Sequence, residues 1–137
     1  MPAVDIAELR AAQETIRDFV RDGSLASAHD VAEGGFAIAV AESCLAGGLG
    51  ATIDVSALVG ADASAEEFDR ILFGESPGSG FVVSGCADAV ARLGEQLALM
   101  VLGTVGGDAL EIVAGARISA SLEDLRTAHG ALAPLFA

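Results

Sequence analysis

Residues 29–35, His-Asp-Val-Ala-Glu-Gly-Gly, set one imidazole, two carboxylates and a glycine pair between a strand-like run and an alanine-rich helix. Two adjacent glycines at a helix start let backbone N–H groups approach a ligand with no Cβ in the way. The helix dipole favours an anion at the same end. Gly34 and Gly35 are therefore candidate phosphate binders. Asp30 could cap the helix, hold a metal-bound water or act as a general base. His29 is either a hydrogen-bonded structural residue or a substrate contact. The pattern is neither a Walker A loop nor GxGxxG, and a plain strand-to-helix turn explains the same glycines.

A second candidate is the loop around Glu75 and Ser76 in FGESPGSG. A carboxylate and a hydroxyl beside glycines can bind a sugar or an amide, or can close a solvated turn. A third is Gly103-Thr104-Val105-Gly106-Gly107, where the glycines read as a hairpin turn. Glu66, Glu67 and Asp69 read as a solvated helix face. No Ser/His/Asp triad, HExxH or paired-carboxylate cleft is present, so no catalytic or metal-ligating residue is assigned.

These residues need elements to hold them. Asp5 with Glu8 starts a helix bearing Ile6, Leu9, Ile16, Phe19 and Val20, and Gly23 ends it. LASAH reads as a short strand from a sheet centre. FAIAVAESCLA reads as a largely buried helix stopped by Gly47-Gly48. GATIDVSAL alternates as a half-buried strand. Ser64 with Glu67 caps a helix through Leu72 or Phe73. FVVSG is a strand and CADAVARLGEQLA a helix. LMVLGTVGG and ALEIVAG are two strands joined as a hairpin at Gly106-Gly107-Asp108. ARIS adds a short edge strand, and Ser121 with Asp124 opens a last helix through Ala131. The expected fold class is α/β (α+β), a mixed β-sheet covered by helices. Residues 1–4 read as the end of a linker and 5–137 as one domain.

Composition narrows the function. The chain has 137 residues, 53% hydrophobic, with seven basic and 20 acidic residues and a net charge of −13. All seven bases are Arg. Such an acidic surface repels phosphate backbones, so nucleic acid is not an expected partner. No apolar run is long enough to span a membrane, and the N-terminus is not a secretory or transit sequence. Cys44 and Cys86 are expected to be buried free thiols, which suits the cytoplasm.

Taken in order, SAHDVAEGGFAIAVAESCLAGGLGATIDV, LFGESPGSGFVVSG and LGTVGGDALEI closely resemble the C-terminal domain of phosphoribosylformylglycinamidine synthase. The likeness runs from about Leu9 to Phe136 and rests on the ordered set of motifs. The C-terminal domain of aminoimidazole ribonucleotide synthetase is the second-ranked resemblance. The resemblance implies an aminoimidazole ribonucleotide synthetase-like C-terminal fold within an ATP- and Mg²⁺-dependent ligase of purine biosynthesis. That enzyme converts formylglycinamide ribonucleotide, with ammonia from glutamine, to formylglycinamidine ribonucleotide. It also implies partners: the N-terminal domains of the same enzyme, which carry most of the catalytic groups, and a glutaminase domain or subunit. Alone, this domain is expected to be inactive, to bind ATP weakly and to self-associate through an exposed sheet. Asp30, Gly34 and Gly35 carry over as nucleotide or phosphate neighbours, and His29, Glu75 and Ser76 as substrate-loop candidates. Pro77 stands where the catalytic copy of that loop has Gln, so Glu75 and Ser76 face an auxiliary site in this resemblance. The competing reading is a non-catalytic structural module.

Overall fold

A computed structural model describes residues 5–60, 64–74, 80–114 and 116–131. The first helix, α1 (Ile6–Arg21), begins where the Asp5 carboxylate accepts the Ala7 and Glu8 amides at 2.9 and 3.1 Å. Glu8 does not return the bond of a full capping box among the described residues. Strand β1 (Leu25–Val31) follows, then α2 (Gly35–Gly47), β2 (Ala51–Asp54), the single turn α3 (Ser56–Val59) and α4 (Ala65–Phe73). The chain continues through β3 (Gly80–Gly85), α5 (Ala87–Gly94), β4 (Gly103–Val105), β5 (Ala109–Ala114), β6 (Ala116–Ser121) and α6 (Leu122–Gly130). Mixed strands with helical cover agree with the expected α/β class.

Two sheets form rather than one. β1 and β3 make an antiparallel ribbon, and the other four strands run in the order β4-β2-β5-β6. LASAH is therefore not a sheet centre: among the described residues β1 pairs with β3 alone, and it extends to Val31. Val82 on one ribbon face packs against the larger core, which contains much of α2. Phe81 and Val83 on the other face join Ile16, Phe19, Leu25 and Leu93 in a second core beneath α1 and α5. A register shift between Leu25 and Ser27 puts Leu25 opposite Gly85. That irregularity turns Leu25 toward Phe81 and Val83; strict alternation would have put it beside Ser27 and His29.

The four-stranded sheet turns Ala51, Ile53, Leu110 and Ile112 toward α2, α4 and α6, where Val40, Cys44, Leu72 and Leu122 close the larger core. Thr52, Asp54 and Glu111 alternate to the opposite face. The expected hairpin is absent. β4 runs antiparallel to β2 and β5 runs parallel to it, so β2 lies between them. The turn explains why: the Gly106 N–H donates to the Gly50 carbonyl at 2.8 Å, and the Gly50 N–H donates to the Gly107 carbonyl at 2.9 Å. The Gly106-Gly107 turn thus clasps the start of β2 instead of closing its own two strands.

Three expected boundaries also move. The strand GATIDVSAL stops at Asp54, because the Asp54 carboxylate accepts the Ser56 amide at 2.8 Å and starts α3. The strand LMVLGTVGG shrinks to Gly103–Val105, and the helix CADAVARLGEQLA ends at Gly94. Cys44 is buried as expected, whereas Cys86 is exposed at the N-cap of α5.

Candidate functional site

The glycine turn between β1 and α2 is a left-handed pair: Gly34 has φ +83° and Gly35 φ +76°. An L side chain is strained at both. Their surroundings differ. A Cβ on Gly34 would lie 2.8 Å from Ile38 Cγ1, a side chain able to turn away. A Cβ on Gly35 would lie 2.7 Å from the Leu72 carbonyl oxygen and 2.9 Å from Phe73 Cα, both backbone. Gly35 is therefore the point where α2 rests on the end of α4. Its N–H is already used, donating to the Ala32 carbonyl at 3.1 Å.

What the turn leaves open is the next stretch of α2. Gly34 is the N-cap and supplies no side-chain acceptor, and the first turn holds no acid. Among the described residues, no side chain accepts from the opening N–H groups at Phe36 and Ala37. Helices α1, α4 and α6, by contrast, are capped by Asp5, Ser64 and Ser121. Two apolar side chains remain exposed near this end, Ile38 at 39% and Phe73 at 46%. The arrangement offers amides for one oxyanion and apolar surface beside it.

His29 takes a different role. Its Nε2 lies 3.1 Å from Glu42 Oε2 on α2, and its Nδ1 lies 2.7 Å from the Asp30 carbonyl oxygen. The imidazole thus ties the exit of β1 to the middle of α2. Glu42 carries no motif, and is the one acid inside FAIAVAESCLA. A lone carboxylate in an apolar helix was the available signal.

Asp30 follows His29, so strand alternation sends its side chain to the other ribbon face. It lies opposite Phe81, is 69% exposed, and lines a groove against α1. Its Oδ1 is 3.8 Å from His29 Nδ1, and no hydrogen bond joins its side chain to the glycine turn among the described residues. The structure keeps Gly34 and Gly35 together at the mouth of α2 and directs Asp30 toward α1. Glu75 and Ser76 lie outside the described residues. Among the described residues, no three His, Cys, Asp or Glu side chains gather as metal ligands, and no helix is long and apolar enough to cross a membrane.

Other polar groups serve local structure. Ser64 and Glu67 form a complete capping box, and the Ser64 backbone N–H followed by its hydroxyl holds the Glu67 carboxyl below the usual range. For Asp54 the Ser56 hydroxyl, followed by its backbone N–H, lowers the carboxyl. Burial pushes the Cys44 thiol up, which keeps it protonated and unreactive.

Comparison with known proteins gives this geometry a context. The chain is 38% identical over 135 residues to phosphoribosylformylglycinamidine synthase subunit PurL of Zymomonas mobilis, covering 97% of this chain and 17% of that one. It is 43% identical over 135 residues to the PurL subunit of Anaeromyxobacter dehalogenans strain 2CP-1, covering 93% of this chain and 17% of that protein. It therefore spans only about a sixth of the length of these relatives. Among solved structures, Thermotoga maritima PurL complexed with FGAR superimposes with a TM-score of 0.67 at 21% identity, over 85% of this chain and 20% of that one. The same protein complexed with ATP gives 0.66 at 21% identity, over 85% of this chain and 21% of that one. At that identity the likeness is one of fold. The family described as "AIR synthase related protein, C-terminal domain" matches residues 2–115. With this match over most of its length, the chain belongs to the AIR synthase related protein C-terminal domain family.

Proposed function

We propose that this chain is the C-terminal domain of an ATP-dependent phosphoribosylformylglycinamidine synthase. The observation that carries the reading is identity of 38–43% to PurL subunits over nearly the whole chain, in one ordered run. Residues 1–4 then end a linker and 5–137 form one domain. The reaction of the whole enzyme replaces the formamide oxygen of formylglycinamide ribonucleotide with nitrogen from glutamine-derived ammonia. ATP, when bound, supplies the phosphoryl group that activates that oxygen.

The residues of this chain fit one part of that task. The amides at Phe36 and Ala37, uncapped among the described residues, suit a phosphate oxygen, beside a Gly34 whose missing Cβ would meet only the Ile38 side chain. Ile38 and Phe73 offer apolar surface to the rest of the ligand or to the facing domain. Asp30 is turned toward α1, away from these amides, so the metal ligands are left to the N-terminal domains. His29 braces the strand exit, and Glu75 and Ser76 belong to the facing substrate loop. A glutaminase domain or subunit supplies ammonia, the cytoplasm is the compartment, and the exposed sheet allows pairing of the isolated chain.

The test uses the full-length protein, in a strain lacking its own synthase, with growth measured without added purine. Growth restored by the wild type supports the assignment; failure with well-expressed, soluble protein overturns it. Gly34→Ala then tests the site. A rise of about tenfold in KM for ATP or the ribonucleotide, with a small loss of stability, is the expected result. A change in stability alone would leave the structural-module reading, which the packing of Gly35 on α4 independently favours.

A further inference from the structure

The β4 edge of the four-stranded sheet is unlike the rest of this acidic surface. Residues 96–107 carry no charged side chain, in a chain of net charge −13. Val101 and Val105 are 70% and 57% exposed. Among the described residues β4 pairs with β2 alone. The hydrogen bonds fix which residues face outward. The Asp54 N–H donates to the Leu102 carbonyl at 2.7 Å, the Gly106 N–H donates to the Gly50 carbonyl at 2.8 Å, and Thr104 lies opposite Thr52. Leu102, Thr104 and Gly106 therefore aim their backbone groups at β2. Gly103 and Val105 turn theirs away, and Val101 continues the same alternation.

Strand edges are ordinarily guarded by charge, proline or a bulge. Strand β6, the opposite edge, carries Arg117 beside Glu111. The ribbon strand β3 is uncharged, but Phe81, Val82 and Val83 pack against the two cores. No charge, proline or register shift marks β4.

We propose that β4 is the seam of a symmetric dimer, in which a second copy of this chain lays its own β4 antiparallel against the first and the two sheets become one. The run is self-complementary about Gly103. A twofold axis there sets Gly103 opposite Gly103, and Val101 of each copy opposite Val105 of the other. These are the outward-facing residues, so the ladder closes with paired N–H to carbonyl bonds, and both Val–Val pairs lie on one face. With no carboxylate in the run, no like charges meet across the seam. The inference rests on the reading above only for the exposed sheet, which it narrows to one edge and one register. The growth test decides the synthase assignment separately.

Sedimentation velocity of the 137-residue chain over about 5–500 μM, with amide hydrogen exchange at both ends of that range, tests the seam. A reversible dimer is expected, with exchange at Val101, Gly103 and Val105 slowed at least about threefold at the higher concentration and Thr104 unchanged. Val101→Lys and Val105→Lys should each weaken the dimer at least about tenfold. Both reduce the net negative charge, so general repulsion between copies does not account for such a loss. Ser119→Lys on β6 should leave the dimer unchanged. All three positions are exposed, so the variants are expected to fold, which circular dichroism checks. A monomer at every concentration would overturn the proposal and leave the edge to a different polypeptide. A dimer that withstands Val105→Lys, or protection confined to β3 or β6, would overturn it equally.

Discussion

The glycines beside β2 and those beside β1 are the same residue put to different uses. At Gly50 and Gly103 the backbone is not left-handed, but no side chain fits. A Cβ on Gly103 would fall on the Thr52 carbonyl oxygen, and one on Gly50 on the Ala109 backbone. At Gly34 the conformation is left-handed and the obstacle is only the mobile Ile38 side chain. Gly35 combines both constraints. Glycine where strands crowd together is therefore about packing, and glycine at Gly34 about chain direction.

Substitutions can break or sharpen that contrast. The largest effect is expected at Gly103→Ala, where rigid backbone must move: a loss of about 3–5 kcal/mol, read by chemical denaturation. Gly35→Ala follows at about 2–4 kcal/mol, since a left-handed residue also meets the end of α4. Gly34→Ala should cost only about 1–2 kcal/mol. If Gly34→Ala proved as damaging as Gly103→Ala, the contrast would fail. Glu42→Gln weakens a partly exposed contact to His29 and is expected to cost about 0.5 kcal/mol.

The smallest effect concerns pH. Glu67 has a folded-state pKa below its unfolded one, because Ser64 hydrogen-bonds its charged form. Its contribution is complete above the unfolded value and is lost as pH falls through the folded value. Ser64→Ala should therefore lower the melting temperature by a few degrees at neutral pH. That gap should narrow in acid, below the ordinary Glu range. A gap independent of pH would mean that the Glu67 charge adds nothing to the cap.

Much of the fold was legible because its signals are local. Asp5, Ser64 and Ser121 mark helix starts through side chains that bond the next turn. Gly23 and Gly48 mark helix ends through their positive φ. The pairing of strands was not legible, since Gly106-Gly107-Asp108 has the composition of a hairpin turn whether or not another strand enters between its arms. The register shift that redirects Leu25 leaves no local mark either. At the candidate site, the glycine turn was legible and its surroundings were not. Gly35 against α4, and Asp30 turned toward α1, depend on residues distant in sequence.

The clasp of Gly106 and Gly107 around Gly50 bears on how the molecule assembles. β2 cannot gain both neighbours until the chain beyond Gly103 has reached it, so its pairings are among the long-range ones that slow folding. Until then its two edges are unpaired, and unpaired strand edges are where chains mispair.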